Sequence, residues 1–394
     1  MKSCSLVDAV SSMQAGIACG QRDDSGIVQL RLNNLLTNGL IDFSGHVRIP
    51  SVLVSNEMLL QPGDVLFNNT NSVELVGKTV VFQGYKENAT FSNHVTRIRV
   101  SEDVLVPEYL AFWLLRQWQE KVFEGICDRW IGQAAVQRSK LEMLQVPIRP
   151  LNEQSQIAAK VKAQLADAEI ARQAAVSQLQ DTGILRTRVL AEIFNRLDSV
   201  ETKVLGDFAH TTSGSTPSRG IKQYWEPAEI PWVKTGEVNF STINATEESI
   251  SKAALAECSL TLLPPQSVLV AMIGQGKTRG QSAFLNIEAT TNQNCFAVFP
   301  NDTWEPEFLY YWFVSSYQYL RNFSADRGGN QSALNGAILR ALKIPAPDKD
   351  EQLQIIQQVK TALSEIATME QTSKTMLADI EQLPNRILAQ AFEN

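Results

Sequence analysis

Gly276-Lys277-Thr278 is the segment that comes nearest to a catalytic motif, because it resembles the close of a phosphate-binding loop. That motif needs a glycine at position 271, where the chain has Ala271. The stretch also runs on into Arg279-Gly280 and a strand-like segment, whereas a phosphate loop opens a helix. Nucleotide binding is therefore not expected. His46, His94 and His210 lack the spacing of metal ligands, so no metal site is expected. Cys4, Cys19, Cys127, Cys258 and Cys295 lie far apart, are odd in number and form no Cys-x-x-Cys pair; reduced thiols are expected. There is no glycine-rich dinucleotide loop after a first strand, no nucleophile elbow and no Asn-Pro-Pro-aromatic motif of the kind amino-methyltransferases use. The expectation is a chain with no catalytic residues and no cofactor of its own.

The elements around these residues belong to an ordinary globular protein. The 394 residues are 44% hydrophobic and 20% charged, enough apolar material for more than one core. No apolar run approaches the roughly 18–20 residues that span a bilayer, and the N-terminus lacks the apolar core of a signal peptide. A cytoplasmic protein without a membrane partner is expected. The net charge of −7 argues at first against a polyanionic partner, yet its distribution is uneven. Residues 1–150 carry a net −1, 151–195 none, 196–349 −2 and 350–394 −4, so the two larger segments are close to neutral.

The strongest signal is an internal repeat at an offset of 198. Glu153-Gln154 matches Glu351-Gln352, Gln156-Ile157 matches Gln354-Ile355, and Val161-Lys162 matches Val359-Lys360. Leu165, Leu179, Asp181 and Leu185 match Leu363, Leu377, Asp379 and Leu383, and the series ends on Leu190-Ala191 with Phe194 against Leu388-Ala389 with Phe392. Upstream the likeness thins to Pro107–Trp113 against Pro306–Trp312 and Leu60–Leu66 against Leu263–Leu269. Each half is thus a divergent globular domain followed by a closely similar helical segment.

Those segments read as long helices. Asn152 and Asp350 are suited to cap them, and bends are expected at Gly183 and Pro384. Ile157, Val161, Leu165, Leu179 and Leu185 in the first, with Ile355, Val359, Leu363, Ile366, Leu377 and Leu383 in the second, form apolar stripes for helix pairing or partner docking. The predicted fold is α+β. Two mixed α/β domains, residues 1–151 and 197–349, are joined by long coiled-coil-like helices, 152–196 and 350–394. The second helix can return antiparallel to the first and place the halves about a pseudo-two-fold axis. Strands are expected at Val65–Phe67, Lys78–Phe82, Val95–Val100, Ile230–Lys234, Ser267–Met272 and Cys295–Phe299. A helix is expected near 107–121 and another near 306–320, with Tyr109, Phe112, Trp113, Phe308, Tyr311 and Trp312 serving the core in preference to base stacking.

This order of parts resembles the DNA-specificity subunits of type I restriction–modification enzymes. The residues that carry the resemblance are Val146–Gln154 and Ile344–Gln352, each a proline-rich turn leading into Glu-Gln and a helix that closes on Leu-Ala-x-x-Phe. Gly214-Ser215-Thr216-Pro217-Ser218, Tyr224-Trp225, Ile230–Val233 and Pro62–Phe67 add to it, while the first domain lacks the Gly-Ser-Thr-Pro opening. The resemblance implies two target-recognition domains, each reading one half of an asymmetric bipartite site in double-stranded DNA. It implies helices that set the spacing and dock two methyltransferase subunits, with two motor-nuclease subunits joining for cleavage. S-adenosylmethionine, ATP and magnesium would then be used by the partners.

Given that reading, base edges call for Arg, Lys, Asn or Gln on loops and helix ends. The candidates in the first domain are Asn69 and Asn71 of the loop Asn68–Asn71, with Lys78, Arg129, Gln133 and Arg138. In the second they are Ser218, Arg219, Lys234, Lys277, Thr278, Arg279 and Arg327, the loop around Lys277 and Arg279 foremost. A coiled-coil scaffold joining two protein-binding domains would instead show no sequence-dependent DNA binding. A nuclease or methyltransferase with unrecognised motifs would turn over alone.

Overall fold

The computed structural model describes residues 2–274, 276–325 and 334–393. The fold is α+β and packs as two units, Met1–Ser177 with Lys374–Asn394, and Gln178–Ser373. Each long helix therefore begins in one unit and ends in the other.

The two globular parts repeat one sheet topology that their sequences have largely lost. In the first unit the strand order is Val10–Ala15, Val95–Val100, Val65–Asn68, Thr79–Val81, all antiparallel. In the second it is Thr211–Ser213, Cys295–Val298, Val268–Ala271, Ser282–Leu285, with Thr242–Ile243 added parallel at the edge. A second, three-stranded sheet recurs as well. Ile27–Leu30 lies between Val47–Ile49 and a parallel Ala89–Phe91; Ile230–Val233 lies between Glu248–Ile250 and a parallel Thr290–Thr291. The central strands Val65–Asn68, Val268–Ala271 and Cys295–Val298 are buried throughout, which explains their continuous apolar runs. The helices Pro107–Gln119 and Pro306–Ser315 start on proline, whose missing N–H costs nothing in a first turn. Tyr109, Trp113, Phe308 and Trp312 are buried in the cores, as their helical spacing predicts.

The first long helix runs from Leu151 to Asn195 and the second from Lys349 to Glu381, followed by Leu383–Phe392. Both begin two residues earlier than Asn152 and Asp350 as caps would have them. The carbonyls of Pro150 and Asp348 accept the first intrahelical bonds, from Gln154 and Gln352 N–H, so those residues are the caps. The Asp348 carboxylate also accepts from Glu351 N–H at 2.8 Å. The first helix passes through Gly183 without interruption, while the second breaks just before Pro384. Glycine lowers helix propensity but keeps its N–H; proline removes the donor and clashes with the preceding turn.

Sheltered positions on the helices fall at Gln154, Ala158, Val161, Leu165, Ala168, Arg172, Ala175, Leu179 and Thr182. On the second they fall at Gln352, Ile356, Val359, Leu363, Ile366, Glu370, Ser373, Leu377 and Ile380, the same positions shifted by 198. The alternating spacing of four and three residues is a heptad seam. Leu185, placed on the stripe by sequence, is 38% exposed and lies off this seam, because a 3.5-residue period drifts away from simple i, i+4 steps.

The ends of the helices explain the Leu-Ala-x-x-Phe repeat. In the first unit Val161 and Leu165, near the start of one helix, share a cluster with Leu388 and Phe392, at the end of the other, so the two run antiparallel there. Phe392 meets Tyr109 with ring centroids 5.3 Å apart. In the second unit Leu190, Ile193 and Phe194 share the core with Ile355, Ile356 and Val359, and Phe194 meets Phe308 at 5.5 Å.

Candidate nucleic-acid interface

In the first unit, the hairpin Asp128–Trp130 and Gln133–Ala135 adds to Thr70–Asn71 as a three-stranded sheet. Asn71 stands opposite Ala134, Ala134 opposite Arg129, and Trp130 opposite Gln133. Asn71, Arg129 and Gln133, far apart in sequence, thus share one small sheet. The carbonyl of Asn69 accepts from Val136 N–H at 2.9 Å, which ties this sheet to the loop before it. The Asn69 amide donates to Thr96 Oγ1 at 2.9 Å and to the Asn93 carbonyl at 3.2 Å, so it braces the loop. Arg129 is exposed, its guanidinium donating to the Glu124 carbonyl at 2.7 Å, and Gln133 is exposed beside the turn. Arg138 is also exposed and pairs with Glu142 one helical turn on. Asp128 is clamped by Lys140 at 2.6 Å and by the Gln137 amide at 2.5 Å, and the Lys140 bond holds its carboxyl below the usual range.

Lys78 is not presented to a ligand. Its ammonium donates to the carbonyls of Leu35 at 2.6 Å and Leu32 at 3.3 Å, and burial lowers its pKa. It satisfies an otherwise orphaned turn, so the expectation that it reads DNA is corrected to a structural role.

In the second unit, Arg219 and Lys234 come together around one carboxylate, with Ser218 beside Arg219 in the chain. Arg219 pairs with Glu248 at 2.5 Å, and Lys234 reaches Glu247 at 2.5 Å and Glu248 at 3.1 Å. The Arg219 guanidinium also lies 3.8 Å over the Trp225 ring and 5.4 Å from that of Trp232, a cation–π stack. The Trp225 indole donates to the Ser218 carbonyl at 3.1 Å. Arg219, then Lys234, holds the Glu248 carboxyl low, and Glu247 with Glu248 raises the Lys234 pKa. These cations are presented at the surface, but each is committed to a carboxylate that a phosphate would have to displace.

The loop around Lys277 is split. Lys277 is exposed and Thr278 half-buried, whereas Arg279 is only 8% exposed and points inward. Tyr317 donates its hydroxyl to the Lys277 carbonyl at 2.6 Å, and Arg321 donates to the Gly276 carbonyl at 2.8 Å. Gly274 and Gly280, on either side of this loop, take positive φ. Arg327 lies outside the described residues. Sequence reasoning missed Glu247 and Glu248, the buttress Arg321, and the two apolar residues at the first hairpin's tip.

Gly214 shows why a glycine opens the Gly-Ser-Thr-Pro run. A Cβ there would stand 1.7 Å from the Thr291 carbonyl oxygen, because two backbones cross. Ser215 N–H donates to that oxygen at 3.0 Å, and the Trp232 indole donates to the Ser215 carbonyl at 3.1 Å. Gly16, offset by 198, repeats the crossing: a Cβ would stand 2.3 Å from the Phe91 carbonyl oxygen, and Ile17 N–H donates to it at 2.9 Å. Gly214→Ala is expected to force the strands apart and cost about 3 kcal/mol. Thermal unfolding of the full chain would show it as a lower transition for the second unit; an unchanged transition would mean the crossing relaxes freely.

Among the described residues no group of three or more His, Cys, Asp or Glu is placed to hold a metal ion. Cys295 is buried, and burial pushes its thiol up to about 12, which keeps it protonated. No described helix is long and apolar enough to cross a membrane.

A tandem pair of α/β domains, each closed by the end of the other's helix, defines a duplicated α+β protein whose variable surfaces lie on one repeated frame. Residues 198–377 match the family described as the type I restriction modification DNA specificity domain. Over 159 residues the chain is 26% identical to the EcoR124I/EcoR124II specificity subunit of Escherichia coli, covering 40% of this chain and 39% of that one. Over 199 residues it is 29% identical to the MjaIX specificity subunit of Methanocaldococcus jannaschii, covering 49% and 43%. The matched stretches thus span about two fifths of these curated relatives. The HsdS subunit from Thermoanaerobacter tengcongensis has the same fold, with TM-score 0.66 and 18% identity over 100% of this chain and 96% of that one. So does a chain from a structure of the type I restriction–modification system, at TM-score 0.72 and 19% identity over 99% and 97%. The second half of the chain thus carries a match to the type I restriction modification DNA specificity domain, and the chain is similar to curated type I specificity subunits over part of their length.

Proposed function

We propose that this chain is the DNA-reading, non-catalytic component of a type I restriction–modification complex. Each α/β domain reads one half of an asymmetric bipartite site, and the long helices set the gap between the halves and dock two methyltransferase subunits. Two motor-nuclease subunits complete the assembly for cleavage, in the prokaryotic cytoplasm. S-adenosylmethionine, ATP and magnesium are used by those partners, not by this chain.

The observation that carries the reading is the contrast between frame and surface. Sheet order, helix seam and terminal phenylalanines repeat, while the side chains on the loops do not: Asn71, Arg129 and Gln133 in one domain, Arg219, Lys234 and Lys277 in the other. A frame used twice with different readers is what an asymmetric site on a near-dyadic duplex requires. The near-neutral charge of each domain leaves much of the phosphate binding to partners.

The test is to replace residues 200–345 with the corresponding domain of a relative, express the chimera with its methyltransferase subunits, and read the methylated sites by genome sequencing. One half of the site should change and the other stay intact. A change in both halves would show that reading is not modular.

A further inference from the structure

The hairpin that carries Arg129 and Gln133 ends in two apolar side chains that the described residues leave largely uncovered. Trp130 is 60% exposed and Ile131 is fully exposed. Trp130 pairs with Gln133, so Ile131-Gly132 is a two-residue connection, and the φ of +74° at Gly132 closes it. A Cβ on Gly132 would meet nothing within 4 Å, so the glycine is there for its backbone angle and not for room. The base of the hairpin, by contrast, is fixed. Ala134 is fully buried against Asn71, and Asp128 is clamped by Lys140 and Gln137. A rigid stem thus holds a tryptophan and an isoleucine out into solvent, where neither gains from burial.

The surroundings favour a nucleic acid over a protein as the occupant. Lys121, Arg138 and Lys140 are each paired with a carboxylate, but Arg129, on the hairpin itself, donates to the Glu124 backbone carbonyl, so its exposed charge stands beside the tip for a phosphate or base edge. The side chains beside the tip are an arginine and a glutamine, the types that bond base edges and phosphates.

We propose that Trp130 and Ile131 form an apolar wedge that enters duplex DNA between base pairs at the half-site read by the first domain, partly unstacking one step, while Arg129 and Gln133 bond the groups beside it. This rests on the DNA-reading assignment above. It adds a source of specificity that needs no hydrogen bond, because base steps differ in the cost of being unstacked.

The probe is a short fluorescein-labelled duplex pool, enriched by capture on the wild-type full chain co-expressed with its methyltransferase subunits, and all binding is measured on that complex. A second form of the pool carries one mismatched step, which prepays unstacking. Wild type should bind the mismatched form several-fold more tightly. Trp130→Ala should lose that preference and bind the intact pool roughly tenfold more weakly, in line with the loss of one stacked aromatic. Trp130→Phe should keep most of both. The salt dependence should keep its slope, since no phosphate contact is removed. Equal binding by Trp130→Ala and wild type would overturn the wedge, and so would a flattened salt slope. Intact DNA binding with lost co-purification of the methyltransferase subunits would make the tip a protein contact instead. If wild type binds neither duplex form, the DNA-reading assignment itself fails, and the wedge with it.

Discussion

Replacing Phe194 by alanine is expected to destabilise the second unit by about 3–5 kcal/mol while leaving the first unit's stability nearly unchanged. The asymmetry is the point of the experiment. Phe194 sits on a helix whose first turns belong to the first unit, yet its ring is 6% exposed in the core of the second, against Phe308 and among Leu190, Ile355 and Val359. Truncation would leave a cavity lined by rigid aromatics that cannot collapse into it. Hydrogen exchange on the full chain should show lost protection across residues 205–345 and retained protection across 1–150. Loss confined to the first unit would contradict the way the helix ends are shared. At the equivalent position, Phe392→Ala should invert the pattern, with a smaller effect because Phe392 is only partly buried.

Much of this arrangement was legible in the sequence because helices repeat their chemistry in register. An offset of 198 aligns every seam position of one helix with that of the other, and the six strands expected from apolar runs all form within a residue or two. The common topology of the two domains was not legible. Strands tolerate almost any apolar residue at a buried position, so Val65–Asn68 and Val268–Ala271 keep a role without keeping a sequence. Gly16 makes the same point. The first domain lacks the Gly-Ser-Thr-Pro run, yet Gly16 occupies the position of Gly214 at the same offset, because a backbone crossing demands the missing Cβ and nothing else about the run. A search for matched glycines would have found it.

The readers were the least legible. Grouping by charge put Lys78 and Arg279 with Lys277, but a cation on a strand edge can turn inward as readily as outward. Carbonyls stranded by the turn around Leu32 and Leu35 decide the matter for Lys78. The carboxylates of Glu247 and Glu248 escaped notice because only folding brings them to Arg219 and Lys234. What the sequence did supply was Arg129 and Gln133 by residue type alone; the hairpin that joins them through Gly132 is visible only in the fold.

The repeated glutamine at the head of each helix carries the other large prediction. Gln352 is fully buried and makes three hydrogen bonds. Its Oε1 accepts from Glu305 N–H at 2.7 Å, and its Nε2 donates to the carbonyls of Thr303 and Pro347, both at 2.9 Å. Gln154 repeats the pattern, accepting from Val106 N–H at 2.9 Å and donating to the Val104 carbonyl at 2.9 Å and the Arg149 carbonyl at 2.8 Å. Each glutamine thus pins the start of a long helix to the loop that feeds the domain's own helix. Glu cannot donate twice, and Leu cannot bond at all. Gln352→Leu would strand one N–H and two carbonyls away from water, at about 2–4 kcal/mol after local relaxation. For a domain of this size that lowers the second unit's Tm by roughly 2–4 °C for each kcal/mol. Gln352→Glu should be at least as damaging at neutral pH, since its carboxylate would face two carbonyl oxygens without water. Burial there favours the neutral acid, so its folded-state pKa should lie above the unfolded value. The deficit relative to wild type should therefore shrink as pH falls through that raised pKa, when the protonated carboxyl can donate to one carbonyl. Calorimetry of both variants between neutral and mildly acidic pH decides it. A Gln352→Glu deficit that does not change with pH would mean the carboxylate swings out to solvent, and that the buried triple bond does not hold the helix in place.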